Sequence, residues 1–81
     1  MSRDITVRYF ASLKEKAGQS SEALKTSAVT ASDLYRELKE RHGFPLDEQH
    51  LKVSINREYK PFTTAISSGD EVVFIPPVSG G

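Results

Sequence analysis

The residues whose types and spacing could do chemistry stand together at the far end of the chain, in Pro76-Pro77-Val78-Ser79-Gly80-Gly81. The group of interest is the backbone carboxylate of Gly81. Its reference pKa of about 3.3–3.7 leaves it anionic at neutral pH, so nucleophiles avoid it. It can, however, attack the α-phosphate of ATP, and the acyl-adenylate that results is a good acyl donor. Glycine suits this chemistry because no side chain crowds the carbonyl carbon and no chiral centre can racemise. Gly80 also lacks a Cβ, so another protein's backbone can close around it from any side. Pro76 and Pro77 have no N–H and fix φ near −65°, which ends sheet pairing and favours an extended, polyproline-type path. From Pro76 onward the chain can reach roughly 20 Å when extended, enough to enter a partner's pocket. Taken alone, a Gly-Gly end fits a merely flexible terminus as well, and the surrounding sequence has to decide.

No other part of the chain offers a reaction centre. Cysteine is absent, which removes disulfide staples, thiolate catalysis and cysteine-based zinc sites. Any thiol-like reactivity must therefore come from something other than a side chain. His42 falls near the end of a helix, where a partial positive charge suits the macrodipole, and is expected to be solvated. His50 has Asp47 and Glu48 nearby, but the spacing fits no metal motif and a loop histidine is expected. Ser20-Ser21 and Ser67-Ser68 read as turn residues, and Glu37, Lys39, Glu40 and Arg41 read as a solvated helix face. Gly43 and Gly69 do not form a phosphate-binding loop.

The elements that must position the tail follow from pattern. In Asp4 to Phe10, Ile5, Val7 and Tyr9 alternate with Thr6, Arg8 and Phe10, the period of a half-buried strand. Ala11 to Ala17 predicts a short helical turn closed by Gly18, and Glu22 to Thr26 a weak second strand. Thr30 is a good N-cap with Asp33 completing a capping box, and Val29 is placed to staple onto Leu34. Leu34 and Leu38, beside Tyr35, give this main helix its apolar stripe; Gly43 stops it and Pro45 follows. Leu51, Val53 and Ile55 alternate again before a turn at Asn56-Arg57-Glu58. A second turn, Ser67-Ser68-Gly69-Asp70, leads into the strand Glu71 to Ile75. Strand, strand, helix, strand, strand is an α+β order, with the helix packed on one face of the sheet.

At 81 residues this is a single small domain, residues 1–75 with a tail of 76–81. Such a domain buries about 60 % of its unfolded surface, enough for a core but not for a core and a roomy catalytic cavity. Eleven basic residues balance eleven acidic ones, so no nucleic-acid footprint is expected. No lysine-rich amphipathic stretch suggests a membrane surface, apolar runs are too short to span a bilayer, and Met1-Ser2-Arg3-Asp4 lacks a signal peptide's apolar region. A soluble cytoplasmic protein is the expectation.

Strand parity adds a surface. If Val72 and Phe74 point inward with Ile5, Val7, Val53 and Ile55, then Phe10, Val73 and Ile75 point outward, and Tyr59 could join them. Contiguous exposed apolar residues mark a docking patch. Scattered ones mean nothing, and so does a strand covered on both faces. Parity alone leaves these readings open.

Three stretches carry a resemblance over essentially the whole chain: Val7-Arg8-Tyr9-Phe10-Ala11-Ser12-Leu13, Val53-Ser54-Ile55-Asn56-Arg57-Glu58-Tyr59, and Gly69-Asp70-Glu71-Val72-Val73-Phe74-Ile75 running into Pro76-Pro77-Val78-Ser79-Gly80-Gly81. The last is the most specific. Together they resemble the small subunits of molybdopterin synthase, within the ubiquitin-like sulfur-carrier family; Ile55 stands where valine is more usual, a conservative departure. The resemblance implies a β-grasp fold, a mixed sheet of four to five strands with one main helix on one face. It implies that a ubiquitin-activating-type adenylyltransferase, using ATP, adenylates Gly81, and that a sulfur donor protein converts it to a thiocarboxylate. The tail then inserts into the large subunit, which supplies the catalytic groups, and sulfur passes to cyclic pyranopterin monophosphate to build the molybdopterin dithiolene. On this reading Gly81 carries the sulfur, Gly80 gives clearance, Val78 and Ser79 line the channel, and Pro76 and Pro77 aim the tail. Phe10, Tyr59 and Ile75 occupy the positions where the family docks its partners. No bound cofactor and no metal are implied. Two related roles remain open: a sulfur carrier for thiamin or another metabolite, and a protein modifier joined through Gly81 to lysines.

Overall fold

A computed structural model describes residues 2–77. The chain runs β1 (Arg3–Tyr9), α1 (Ala11–Ala17), β2 (Ser21–Thr26), α2 (Ala31–His42), a 3-10 turn (Glu48–His50), β3 (Lys52–Ile55), β4 (Glu58–Lys60) and β5 (Glu71–Ile75). All five strands join one sheet in the order β2-β1-β5-β3-β4. The last strand in sequence is therefore the middle one in space. It lies parallel to β1, with Val7 opposite Val72 and Tyr9 opposite Phe74, and antiparallel to β3, with Val53 opposite Phe74. This is the β-grasp arrangement.

Alternation does what it promised in β1: Ile5, Val7 and Tyr9 are buried while their neighbours stay exposed or half-exposed. The same parity in β3 and β5 puts Val53, Ile55, Val72 and Phe74 on the inner face, beneath Ala31, Leu34, Tyr35 and Leu38 of α2 and Leu13 of α1. Burying a side chain of this size contributes about 1.5–3 kcal/mol, so this seam is the main source of stability. Helix α2 is capped at both ends. The Thr30 side chain accepts from the Asp33 N–H, and the Asp33 carboxylate accepts from the Thr30 N–H. At the other end Gly43, with φ 70°, donates its N–H to the Lys39 carbonyl.

Two expectations about this region are corrected. Val29 does not staple onto Leu34: it is exposed, whereas Leu34 is fully buried. The cause is the bridge Thr30↔Ala65 and the bond from the Ile66 N–H to the Val29 carbonyl, which draw the chain before the helix toward the 64–66 segment. Second, Glu58 is not part of the turn. Asn56 and Arg57 alone make the reversal, and Glu58 already pairs with Ile55 as the first residue of β4.

The Asn56 and Asp70 side chains tie the root of β5 in place. Asp70 accepts from the Ser67 N–H (2.7 Å) and from Asn56 Nδ2 (2.9 Å), and Asn56 Oδ1 accepts from the Glu71 N–H (3.0 Å). Gly69, at φ 91°, reaches the Asp4 carbonyl through its N–H. The Gly69-Asp70-Glu71 run is thus a splice between two turns and the start of the central strand.

Candidate docking face and tail root

The outer face of the sheet, opposite α2, carries the predicted surface. Register places Arg8, Val73, Ser54 and Tyr59 in one row across β1, β5, β3 and β4. The next row toward the tail holds Ile75 and Lys52, and the parallel register of Tyr9 with Phe74 brings Phe10 level with Ile75. Phe10 is 49 % exposed and Tyr59 70 % exposed, with Ile75 half-buried between them. Phe10 stays outside because Ala11 takes φ 50°, turning the chain off the end of β1 while Leu13 enters the core.

Val73 corrects the parity argument. It faces outward, yet it is only 8 % exposed. As a short side chain on the central strand it is walled in from both sides, by β1 and by β3. The patch is therefore two exposed aromatic residues flanking a half-covered centre, not a continuous apolar stripe.

Tyr59 and Ile75 share a groove of about 380 Å³ with Pro76 and Pro77, floored by Leu51 and rimmed by Gln49, His50 and Lys52. Pro76 is buried and Pro77 exposed, so the chain parts from the domain body between the two prolines. Val78, Ser79, Gly80 and Gly81, the other predicted tail residues, lie outside the described residues. His50 lies exposed at the end of the 3-10 turn, as expected of a loop histidine.

His42 is the clearest departure. Its ring is nearly buried, with Nε2 3.1 Å from Glu22 Oε2, an edge contact to Tyr9 and a tilted contact to Phe44. Glu22 also accepts from Gln19 and pairs with Arg41, so β2 brings a carboxylate up under the helix end. Nothing in the local pattern of α2 could show that. Below it the Tyr9 hydroxyl is buried, and burial first, then the Glu22 carboxylate, push its pKa far above the phenol range. Elsewhere on the helix side, Tyr35 donates to the Leu46 carbonyl (2.6 Å), and burial, followed by Asp47 and Glu48, pushes it up to about 12. Lys39 hydrogen-bonds Asp47 and holds that carboxyl below its usual range. These groups brace the fold away from the tail.

Among the described residues no group of three or more His, Asp or Glu side chains is placed to hold a metal ion, and no helix is long and apolar enough to cross a membrane. The outer face does hold one polar feature that pattern reasoning passed over: Arg8 and Arg57 flank Glu71 at 3.7 and 3.9 Å.

What fold and face define is a ubiquitin-like β-grasp domain whose chain leaves the central strand beside two exposed aromatic residues. The chain belongs to the ThiS family, whose model matches residues 7–81. It is 38 % identical, over the full length of both chains, to a molybdopterin synthase sulfur carrier subunit of Dictyostelium discoideum. Among solved structures it is similar to SAMP1 from Haloferax volcanii, with a TM-score of 0.78 and 28 % identity over 96 % of this chain and 99 % of that one. It is also similar to a chain in the complex of subunits 1 and 2 of molybdopterin-converting factor from Helicobacter pylori, with a TM-score of 0.63 and 26 % identity over the whole of both chains.

Proposed function

We propose that this protein is the sulfur carrier of molybdopterin synthase and that Gly81 bears the sulfur. The observation that carries the reading is the full-length match to a molybdopterin synthase sulfur carrier subunit, on a fold whose central strand runs straight into Pro76-Pro77. An adenylyltransferase of the ubiquitin-activating type joins the Gly81 carboxylate to the α-phosphate of ATP, releasing pyrophosphate. Sulfur at the sulfide level, supplied through a donor protein, then displaces AMP at the carbonyl carbon and leaves a thiocarboxylate. In the large subunit that sulfur passes to cyclic pyranopterin monophosphate, and water restores the carboxylate. The chain's own part is delivery. Pro76, seated in the groove, sets the direction; Pro77 carries the chain clear; Val78, Ser79 and Gly80 thread the channel; Phe10, Tyr59 and Ile75 hold the partner. The catalytic groups belong to the partner, and the whole cycle is cytoplasmic.

The lack of cysteine makes the test clean. After incubation with activating enzyme, ATP and a sulfur source, a thiol-selective alkylator should label this protein once, on the C-terminal peptide, and deletion of Gly81 should remove the label without lowering Tm. No label on the intact chain overturns the reading.

The likeness to SAMP1, the small archaeal modifier protein, favours a second reading, conjugation through Gly81 to lysines. An N-terminally tagged chain recovered from its host under denaturing conditions distinguishes them. Adducts with Gly81 on lysine side chains support the modifier, whereas a partner lost on denaturation supports the carrier.

A further inference from the structure

The turn between β3 and β4 is more strained than a reversal needs to be. Asn56 and Arg57 alone separate the paired residues Ile55 and Glu58, with φ values of 53° and 71°. Two positive φ values in a two-residue hairpin make a type I′ turn, in which the second position is usually glycine. Asparagine enters the left-handed region readily and its side chain is put to use on Asp70 and Glu71. Arginine does not, because its Cβ crowds the carbonyl oxygen. Nor does the fold recover much through the guanidinium, whose side chain is 87 % exposed and reaches Glu71 at 3.9 Å. An exposed pair at that distance contributes little.

Arg57 therefore sits where its backbone weakens the fold while its side chain stays largely exposed. Its surroundings show what the side chain faces. Arg8 approaches the same Glu71 carboxylate from β1, so two guanidinium groups share one carboxylate. Asp70, next to Glu71 in the chain, already accepts from the Ser67 N–H and from Asn56. Arg8 lies on the outer face in the row that ends at Tyr59, and Arg57 lies in the hairpin turn beyond that row. Arg57 and Glu71 stand at the opposite end of β5 from the tail, about 13 Å from Ile75 at roughly 3.3 Å per residue, and Arg8 is level with Val73 between them.

We infer that Arg57 and Arg8 form a cationic rim that receives an acidic side chain of the large subunit, extending the surface of Phe10, Tyr59 and Ile75 to the far end of β5. The inference rests on the carrier reading and goes beyond it. An apolar patch beside the tail resists separation but leaves the domain free to rotate about the tail. A charged contact one strand-length away fixes that rotation, and charge complementarity acts mainly on orientation and association rate.

The test is titration of the full-length chain against the purified large subunit of molybdopterin synthase from the same genome, at several salt concentrations. Arg57→Gly removes the guanidinium and supplies the residue the turn prefers. It should bind about three- to fivefold more weakly at low salt, with the difference vanishing near 0.5 M as exposed charges are screened. Its Tm should equal the wild-type value or exceed it by up to about 5 °C. Arg57→Lys should keep most of the affinity. If Arg57→Gly binds as tightly as the wild type with the same salt dependence, the inference fails and the carrier reading stands. It also fails if weaker binding comes with a lower Tm, since the side chain would then be structural. A wild-type chain that does not bind the large subunit at all overturns both.

Discussion

Asp70→Ala should cost this domain about 1–3 kcal/mol, and the reasoning can be worked bond by bond. The carboxylate accepts two hydrogen bonds, from the Ser67 N–H and from Asn56 Nδ2. Bonds to a charged group contribute about 1.5–3 kcal/mol when sheltered; here water can replace the lost partner, which brings each to about 0.5–1 kcal/mol. Freed from Asp70, the Asn56 amide also holds the Glu71 N–H less well, adding about half of another neutral bond. At roughly 4–8 °C per kcal/mol for a domain of this size, Tm should fall by about 5–20 °C. Asn56→Gly keeps the left-handed turn and removes only the amide, so it should cost less. Because both side chains belong to one network, the double variant should fall short of the sum by at least about 0.5 kcal/mol. Urea titration and thermal melting followed by circular dichroism read all three. An Asp70→Ala protein melting within about 2 °C of the wild type refutes the network's role. An unchanged melt with lost sulfur delivery would mean that Asp70 touches a partner instead.

Two more outcomes follow from the site. Phe10→Ala and Tyr59→Ala should each weaken binding of the large subunit by about tenfold, as expected for aromatic anchors, while shifting Tm by less than about 2 °C; isothermal titration and a melting curve check the pair. In alkali, Tyr35 gives a signed prediction. Its folded pKa of about 12 exceeds the unfolded value of 10, so only the unfolded chain loses this proton between the two. Its contribution is complete below pH 10 and is lost as pH rises toward 12. Tm should therefore fall across that window, and fall less steeply in Tyr35→Phe; parallel slopes would contradict the assignment. Tyr9, raised further still, contributes to both curves alike.

Much of this molecule could be read from periodicity and punctuation, because those signals are local. Ile5-Val7-Tyr9 and Val53-Ile55 alternate, and each is buried as alternation demands. Thr30, Asp33 and Gly43 mark the ends of α2 by hydrogen bonds formed within a few residues. What escaped depends on which elements meet. His42 is sheltered by Glu22, twenty residues away, and Val73 is closed in by strands on both sides. Val29 is turned out by a bridge to the 64–66 segment. On the candidate face, the outward setting of Phe10, Tyr59 and Ile75 was legible because parity orders the faces of strands. Arg57 was not, since Asn-Arg in a short turn looks like any polar reversal until its φ angles are known.

The placement of β5 has a consequence for how the protein comes into being. Its partners β1 and β3 are separated from each other in the sheet until β5 fills the gap, and Thr6 pairs with Glu71 across most of the chain. A ribosome delivers β5 last of the five strands, so the inner seam can close only once nearly everything has emerged. Such long-range pairing is slow and leaves apolar surface open meanwhile. A prematurely ended chain would lack the sheet's centre and be open to proteolysis. Folding thus acts as a completeness check: any copy compact enough to survive has been translated at least to the base of its tail.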